Sequence, residues 1–475
     1  MLEHWIDEHV EYHQMPGVIV GLMGAEGLLW SHASGVADLG SQRPMTKSTR
    51  LRMGSVSKIF TSTAVVALGD QGKLDLDDPV ARHVPWFSLT LRDPMNGTAA
   101  GADGTRYLRD ELDGSKVTIR HLLTHTGGLP REAATPYWTD HVFPSAEELR
   151  NIVRGQSMLW PAGRQYQYSN LGMGLLGQIV ETAAGQPFGT ALHDLVFEPL
   201  EMDRSTAAPS ASVIGDLATG YMRRQADGSR DVFEYYDTAS LAGAANVVST
   251  LEDMAHFAAL HLRSAFAARP ESLTASSPAE PTPASLRAMQ TAQWTRDTLS
   301  SARGLGFSVT SRDGHRVASH GGWIAGHRTH FIVVPDQGVA VVALVNADDV
   351  SPSFFAYEVL DVLAGAANPP PEQGAETAAA VNVEGTYSDP WAWYYEVMAL
   401  DGGLYFYEHG YPPSSEALSS LTRLVPQDDG SYVFGSARDP VRFERDAAGR
   451  VVRILRRSDY LFPVATDGSI AVDMP

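Results

Sequence analysis

Ser55 and Lys58 stand three residues apart in the stretch Gly54-Ser55-Val56-Ser57-Lys58. On the first turn of a helix that spacing puts both side chains on one face. A serine hydroxyl is a poor nucleophile until a base takes its proton. A lysine one turn away can be that base if burial or a nearby cation lowers its pKa. Gly54 lets another segment approach closely. A helix start directs free N–H groups at any anion that forms there. The same five residues also fit a plain helix cap with a solvated lysine, so the rest of the chain must decide.

Two further stretches could meet this one. In Tyr168-Ser169-Asn170, a phenol beside a lysine ammonium would have its pKa pulled below the usual ~10. Tyr168 could then exchange protons with Ser55 or a leaving group. The Asn170 amide could bond both the lysine and a substrate carbonyl. In His320-Gly321-Gly322, at the end of an expected strand, the glycines leave bare backbone where a substrate could lie as an added strand. The N–H groups of Trp323 and Ser55 would form an oxyanion hole. Alternatively, Tyr168 is a buried aromatic, Ser169 or Asn170 a helix cap, and His320-Gly-Gly a turn.

The elements that must position these groups follow from pattern. Helices are expected at 2–13, from Ser55 to a stop at Gly72, and at 118–123, 147–154, 171–184, 252–262 and 353–363. The Ser55 helix turns Ile59, Phe60, Ala64, Val65 and Leu68 inward. Strands are expected at 18–23, 28–32, 306–310, 316–320, 327–334 and 338–345. Residues 92–116 read as a surface insertion and 269–285 as a loop rich in Pro, Ser and Ala. The fold class is therefore α+β, an antiparallel sheet flanked by helices. Residues 365–380, with Pro369-Pro370-Pro371, read as a linker. From 381 to 475 short alternating strands between turn signals argue a small antiparallel β-barrel or sandwich. Its aromatics, Trp391, Trp393, Tyr394, Tyr395, Tyr405, Phe406 and Tyr407, could form its own core or line a cleft against the first domain.

Composition narrows the function. The formal net charge of −20 disfavours nucleic acid and anionic membranes as partners. The absence of cysteine excludes disulfides, thiol nucleophiles and thiolate metal sites. His121 and His125 have helical spacing but no carboxylate between them, and His327 and His330 point to opposite faces of a strand. No metal or other cofactor is expected. The polar, acidic start and the lack of a long apolar run lead to the expectation of a cytoplasmic protein without a leader. Oligomeric state stays open.

The combination resembles the serine β-lactamase and penicillin-binding-protein superfamily, on the branch of class C β-lactamases, D-aminopeptidases and esterases. The resemblance rests on residues 52–58, on Gly72-Lys73-Leu74-Asp75-Leu76-Asp77-Asp78-Pro79, on His121-Leu122-Leu123-Thr124-His125-Thr126-Gly127-Gly128-Leu129-Pro130, on Tyr168-Ser169-Asn170, on 249–254 and on His320-Gly321-Gly322. It implies a catalytic domain over residues 1–364 in which Ser55 forms an acyl-enzyme. Lys58 and Tyr168 share the acid–base work, and Asn170 orients lysine and substrate. His320 replaces the lysine of a Lys-Thr-Gly triplet. A histidine is only partly charged near neutrality, which argues against a true β-lactamase. Residues 381–475, opening on Glu384-Gly385-Thr386-Tyr387, resemble the lipocalin-like barrel appended to several such peptidases and to penicillin-binding-protein-type thioesterases. Arg456 and Arg457 there could meet a substrate carboxylate.

The expected activity is hydrolysis of an amide or ester next to a small or D-configured residue. A close alternative is release of a macrocyclic peptide from a carrier-linked thioester, which the missing leader favours. A third is a non-catalytic peptide-binding protein, against which the intact Ser55, Lys58 and Tyr168 argue.

Overall fold

The computed structural model describes residues 2–89, 98–100, 106–108, 113–154, 156–266, 280–295, 302–312, 314–367, 383–388, 394–400, 403–409, 421–427, 429–434, 439–456 and 459–464. Most of the expected insertion, the Pro-rich loop and the linker fall outside these residues, as do Trp391, Trp393 and Arg457. The chain forms two compact units. One is Ile6–Ala356; the other is Tyr357–Pro475 with Met1–Trp5.

The larger unit is built on a nine-stranded antiparallel sheet. Its order is Trp294–Thr295, Ala302–Arg303, Ser308–Arg312, His315–Ile324, His327–Val334, Val339–Val345, Gly17–Gly24, Gly27–Asp38 and Arg43–Pro44. Strands from near the two ends of this unit lie side by side, Val18 paired with Val345 and Met23 with Ala340. Every residue of Gly17–Gly24 is buried, so both faces are covered there. Helix Leu251–Leu262 covers one face, with Phe257 against Phe331 at 5.8 Å and Phe60 stacked on Phe257 at 3.9 Å.

That Phe60 belongs to helix Ser57–Asp70, which is buried along its whole length to Leu68. Periodicity assigns it one apolar face; the structure surrounds it. Three of its hydroxyls survive burial because each finds a carbonyl. Thr61 Oγ1 donates to Gly243 at 2.8 Å, Ser62 Oγ to Lys58 at 2.7 Å and Thr63 Oγ1 to Ile59 at 2.8 Å.

The smaller unit contains a closed eight-stranded antiparallel barrel, from Gly385–Ser388 to Asp459–Pro463, with Tyr387 opposite Pro463 at the closure. Closure removes the exposed strand edges. Tyr395 and Phe406 point into its core with Tyr387, Val397, Leu424 and Ile454. Arg456 lies over the rings of Phe406 and Tyr395, at 5.2 and 5.9 Å. Those two aromatics and this arginine thus serve the barrel itself. Among the described residues no helix is long and apolar enough to cross a membrane.

Candidate active site

Ser55 lies in a single 3-10 turn, Gly54–Val56, that runs into helix Ser57–Asp70. The turn is held from below by residues 243–249. Leu51–Arg52 pairs with Val248–Ser249. Met53 N donates to Val247 O at 2.8 Å, and Val247 N donates to Ser57 Oγ at 3.0 Å. Lys58 Nζ is 2.8 Å from Ser55 Oγ and 2.8 Å from Ala244 O. The Ala244 carbonyl is a site member that sequence reasoning missed; the small residues Gly243, Ala244 and Ala245 are its only signal.

Lys58 is completely buried. Burial pushes its pKa well below the ordinary lysine value; the Glu132 carboxylate opposes this and the Arg131 guanidinium adds to it. A neutral amine has two N–H donors and one lone pair. Ala244 O can take one N–H, which leaves the lone pair for the Ser55 hydroxyl.

Tyr168 also hydrogen-bonds Ser55. Its ring lies 5.0 Å from Lys58 Nζ and 4.9 Å from the Arg131 guanidinium. The expected lowering of its pKa is reversed. Burial pushes the phenol above its ordinary value, and the Ser55 bond only partly opposes this. Tyr168 is therefore a protonated donor, not a base at rest.

Asn170 opens helix Asn170–Ala184, capped by Ser169, whose Oγ accepts Gly172 N–H at 2.9 Å. Its amide does not hold Lys58, as the resemblance implied. Asn170 Nδ2 donates to Glu132 Oε1 at 2.5 Å, and Oδ1 is buried without a partner. A carboxylate only accepts, so Glu132 draws the N–H end toward itself. Glu132 also accepts from the Tyr137 phenol at 2.7 Å. Sequence reasoning missed it, although it lies two residues after the Gly-Gly-Leu-Pro break; no local pattern distinguishes it from a surface glutamate.

His320 is not at a strand end. The strand His315–Ile324 continues through both glycines. On one side it pairs with His327–Val334 along its whole second half, Gly321 opposite His330 and Trp323 opposite Arg328. On the other side, pairing with Ser308–Arg312 stops at Ser319. The edge from His320 onward is thus without a strand partner among the described residues, and the Ser55 turn sits against it. Gly54, at φ 51°, makes this approach available: a Cβ there would lie 2.7–2.8 Å from Trp323 backbone atoms. Trp323 itself is half exposed, with its indole N–H on Asp348 Oδ1 at 2.9 Å.

The His320 ring lies 6.1 Å from Tyr168, with Nδ1 2.6 Å from Gly321 O. That carbonyl accepts, so Nδ1 carries the proton. Burial, then Lys58, push the ring pKa down to about 3. Burial thus removes the partial charge expected at neutrality. Behind Tyr168 and His320 a cavity of about 270 Å³ is lined also by His125, Tyr166, Arg303, Ser308 and Ser319.

The histidine pair 121 and 125 does not converge on a metal: His121 Nδ1 caps its helix at Thr118 and His125 Nδ1 accepts from Ser169 N. Among the described residues one group of potential ligands lies close together, His193, Asp194 and Glu198, all exposed.

Within the larger unit the structure thus brings Ser55, Lys58, Tyr168, Asn170, His320 and Trp323 around one open strand edge. A hydroxyl flanked by a buried amine and a phenol is the arrangement that serine acyl transfer requires. The chain belongs to the Beta-lactamase family, whose model matches residues 2–366. Members of this family are serine hydrolases. It is 29% identical over 377 residues to penicillin-binding protein 4 of Amycolatopsis lactamdurans, covering 77% of this chain and 91% of that one. It is 32% identical over 219 residues to esterase EstB of Burkholderia gladioli, covering 42% of this chain and 49% of that one, so it spans about half of that relative. Its fold is similar to that of a D-stereospecific amidohydrolase from Streptomyces sp., with TM-score 0.57 and 21% identity, over 75% of this chain and 97% of that one.

Proposed function

We propose that the protein cleaves an amide or ester bond of a peptide, next to a small or D-configured residue, through an acyl-enzyme on Ser55. The observation that carries this is the 2.8 Å contact between Ser55 Oγ and a wholly buried Lys58, with Tyr168 on the same oxygen. The fold similarity to a D-stereospecific amidohydrolase supports the D-configuration.

The substrate lies along the open His320–Ile324 edge as an added strand. Neutral Lys58 takes the Ser55 proton as Oγ attacks the carbonyl carbon. The oxyanion is held by the N–H groups of Ser55 and Trp323. As the C–N or C–O bond breaks, Tyr168 gives its proton to the leaving atom and recovers one from Lys58. Water then attacks the ester and its proton passes to Lys58; as the C–O bond to Ser55 breaks, Lys58 returns that proton to Oγ and the acid product leaves. Asn170 Oδ1, unpartnered in the free protein, accepts an N–H of the bound peptide.

A second reading shares the acyl-enzyme. An amine of the same peptide, delivered as a thioester by a carrier, would replace water and give a macrocycle. The open backbone edge, which takes extended peptide, favours keeping it in view.

Fluorophosphonate labelling tests the centre: labelling that disappears in Ser55→Ala supports it, and an unlabelled wild type refutes it. Intact-mass measurement with a D-residue amide, a p-nitrophenyl ester, a penicillin and a peptidyl thioester ending in a D-residue then separates the readings. Free acid from the amide or ester indicates hydrolysis; a cyclic product from the thioester indicates transfer.

A further inference from the structure

The cavity behind Tyr168 is rich in donors, and no carboxylate among the described residues lines it. His125 is only 7% exposed. Its Nδ1 accepts Ser169 N–H at 3.2 Å, so Nε2 carries the ring proton. That N–H has no partner. A buried donor left unpaired is costly and calls for an acceptor. The ring is not free to turn away. The His125 backbone is left-handed, at φ 56°, and fixed by bonds from its N–H to Leu122 O and from Gln167 N to its O. The Tyr168 ring lies 4.6 Å from it.

Arg303 lines the same cavity. Its guanidinium lies 3.9 Å over the Tyr166 ring and donates to Ser308 Oγ at 2.9 Å. Among the described residues no carboxylate pairs with it. A planar fork, held flat by an aromatic ring and lacking an acid, is prepared for a carboxylate. Tyr168, which protonates the leaving atom, forms the boundary between the cavity and Ser55. The leaving group therefore enters here, and about 270 Å³ has room for one small residue.

We propose that Arg303 and the Nε2–H of His125 form a carboxylate subsite that holds the anionic end of the group displaced when Ser55 is acylated. The placement on the leaving side rests on the acyl-enzyme reading; the anion site itself rests on the cavity. Arg303 and His125 then determine specificity, in the position where neutral His320 supplies no charge.

The test compares an N-acetylated dipeptide of small D-residues as free acid and as C-terminal carboxamide. Binding is measured by calorimetry on Ser55→Ala protein, and kcat/KM on the wild type. The acid is expected to be favoured about 10- to 100-fold in both. The ratio should collapse toward one with Arg303→Gln. It should fall partly with His125→Asn, which tolerates the left-handed backbone and keeps an acceptor for Ser169. Arg303→Lys should restore part of it, and carries the test if the glutamine variant fails to fold. Equal binding of acid and amide by the Ser55→Ala protein overturns the subsite, whatever fluorophosphonate does. A preference for the acid that survives Arg303→Gln and His125→Asn also overturns it. An acid preference lost with Arg303→Gln, in a wild type that fluorophosphonate does not label, keeps the subsite and removes only the acyl-enzyme.

Discussion

Asn170 Nδ2 donates to Glu132 Oε1 at 2.5 Å, and the Tyr137 phenol donates to the other oxygen at 2.7 Å. One carboxylate thus ties the start of helix Asn170–Ala184 to the short helix Tyr137–Asp140, which carries Trp138, whose ring lies 6.3 Å from Trp323. The same carboxylate opposes the loss of charge at Lys58, while Arg131, 3.3 Å from Glu132, promotes it.

These two neighbours should therefore move the acid limb of the pH–rate profile in opposite directions. Lys58 acts in its neutral form, so activity falls as pH drops through its folded pKa. Glu132→Gln removes the group that raises that pKa and should shift the limb to lower pH. Arg131→Gln should shift it to higher pH. Profiles of kcat/KM for the two variants check this, and shifts of the same sign would remove Lys58 as the titrating base.

Lys58→Ala and Tyr168→Phe should each lower the acylation rate on the order of 10² or more, as for lost acid–base groups, with circular dichroism unchanged. Stopped-flow acylation measures it. Turnover near wild type in either variant would contradict the assigned proton path.

Gly54→Ala combines backbone strain of about 1–2 kcal/mol with a clash against Trp323. It should lower kcat on the order of 10², by spreading the two N–H groups of the oxyanion hole, with a smaller change in KM. Gly72 supplies the control. It has φ 70° but nothing within 4 Å of its missing Cβ, so Gly72→Ala should lower thermal stability and leave kcat unchanged. Equal kinetic effects from both would mean that strain alone is being read.

Stability should fall on acidification. Burial holds the His261 and His327 pKa values down to about 3. Between that value and the unfolded ~6.5 the unfolded chain binds more protons, so stability rises with pH across this window. Each ring should cost at most about 2 kcal/mol from pH 6.5 to 5. Thermal melts at the two pH values test it, with His261→Gln expected to reduce the difference.

The sequence by itself singled out Ser55, Lys58, Tyr168 and the strand with paired glycines, and with them the α+β class and the terminal barrel. These are local signals. A three-residue spacing, a strand period or a turn residue records its meaning within a few positions. Tertiary structure alone decided the protonation states and the supporting contacts. Tyr168 holds its proton because burial outweighs the Ser55 hydrogen bond and the Arg131 charge, and His320 stays neutral because burial and the neighbouring cations act together; burial is a sum over segments distant in the chain. Glu132 reaches Asn170 across 38 residues and the Ala244 carbonyl reaches Lys58 across 186, distances at which no periodicity survives. The orphaned His125 Nε2 likewise becomes visible only when Ser169 is seen to occupy the other ring nitrogen.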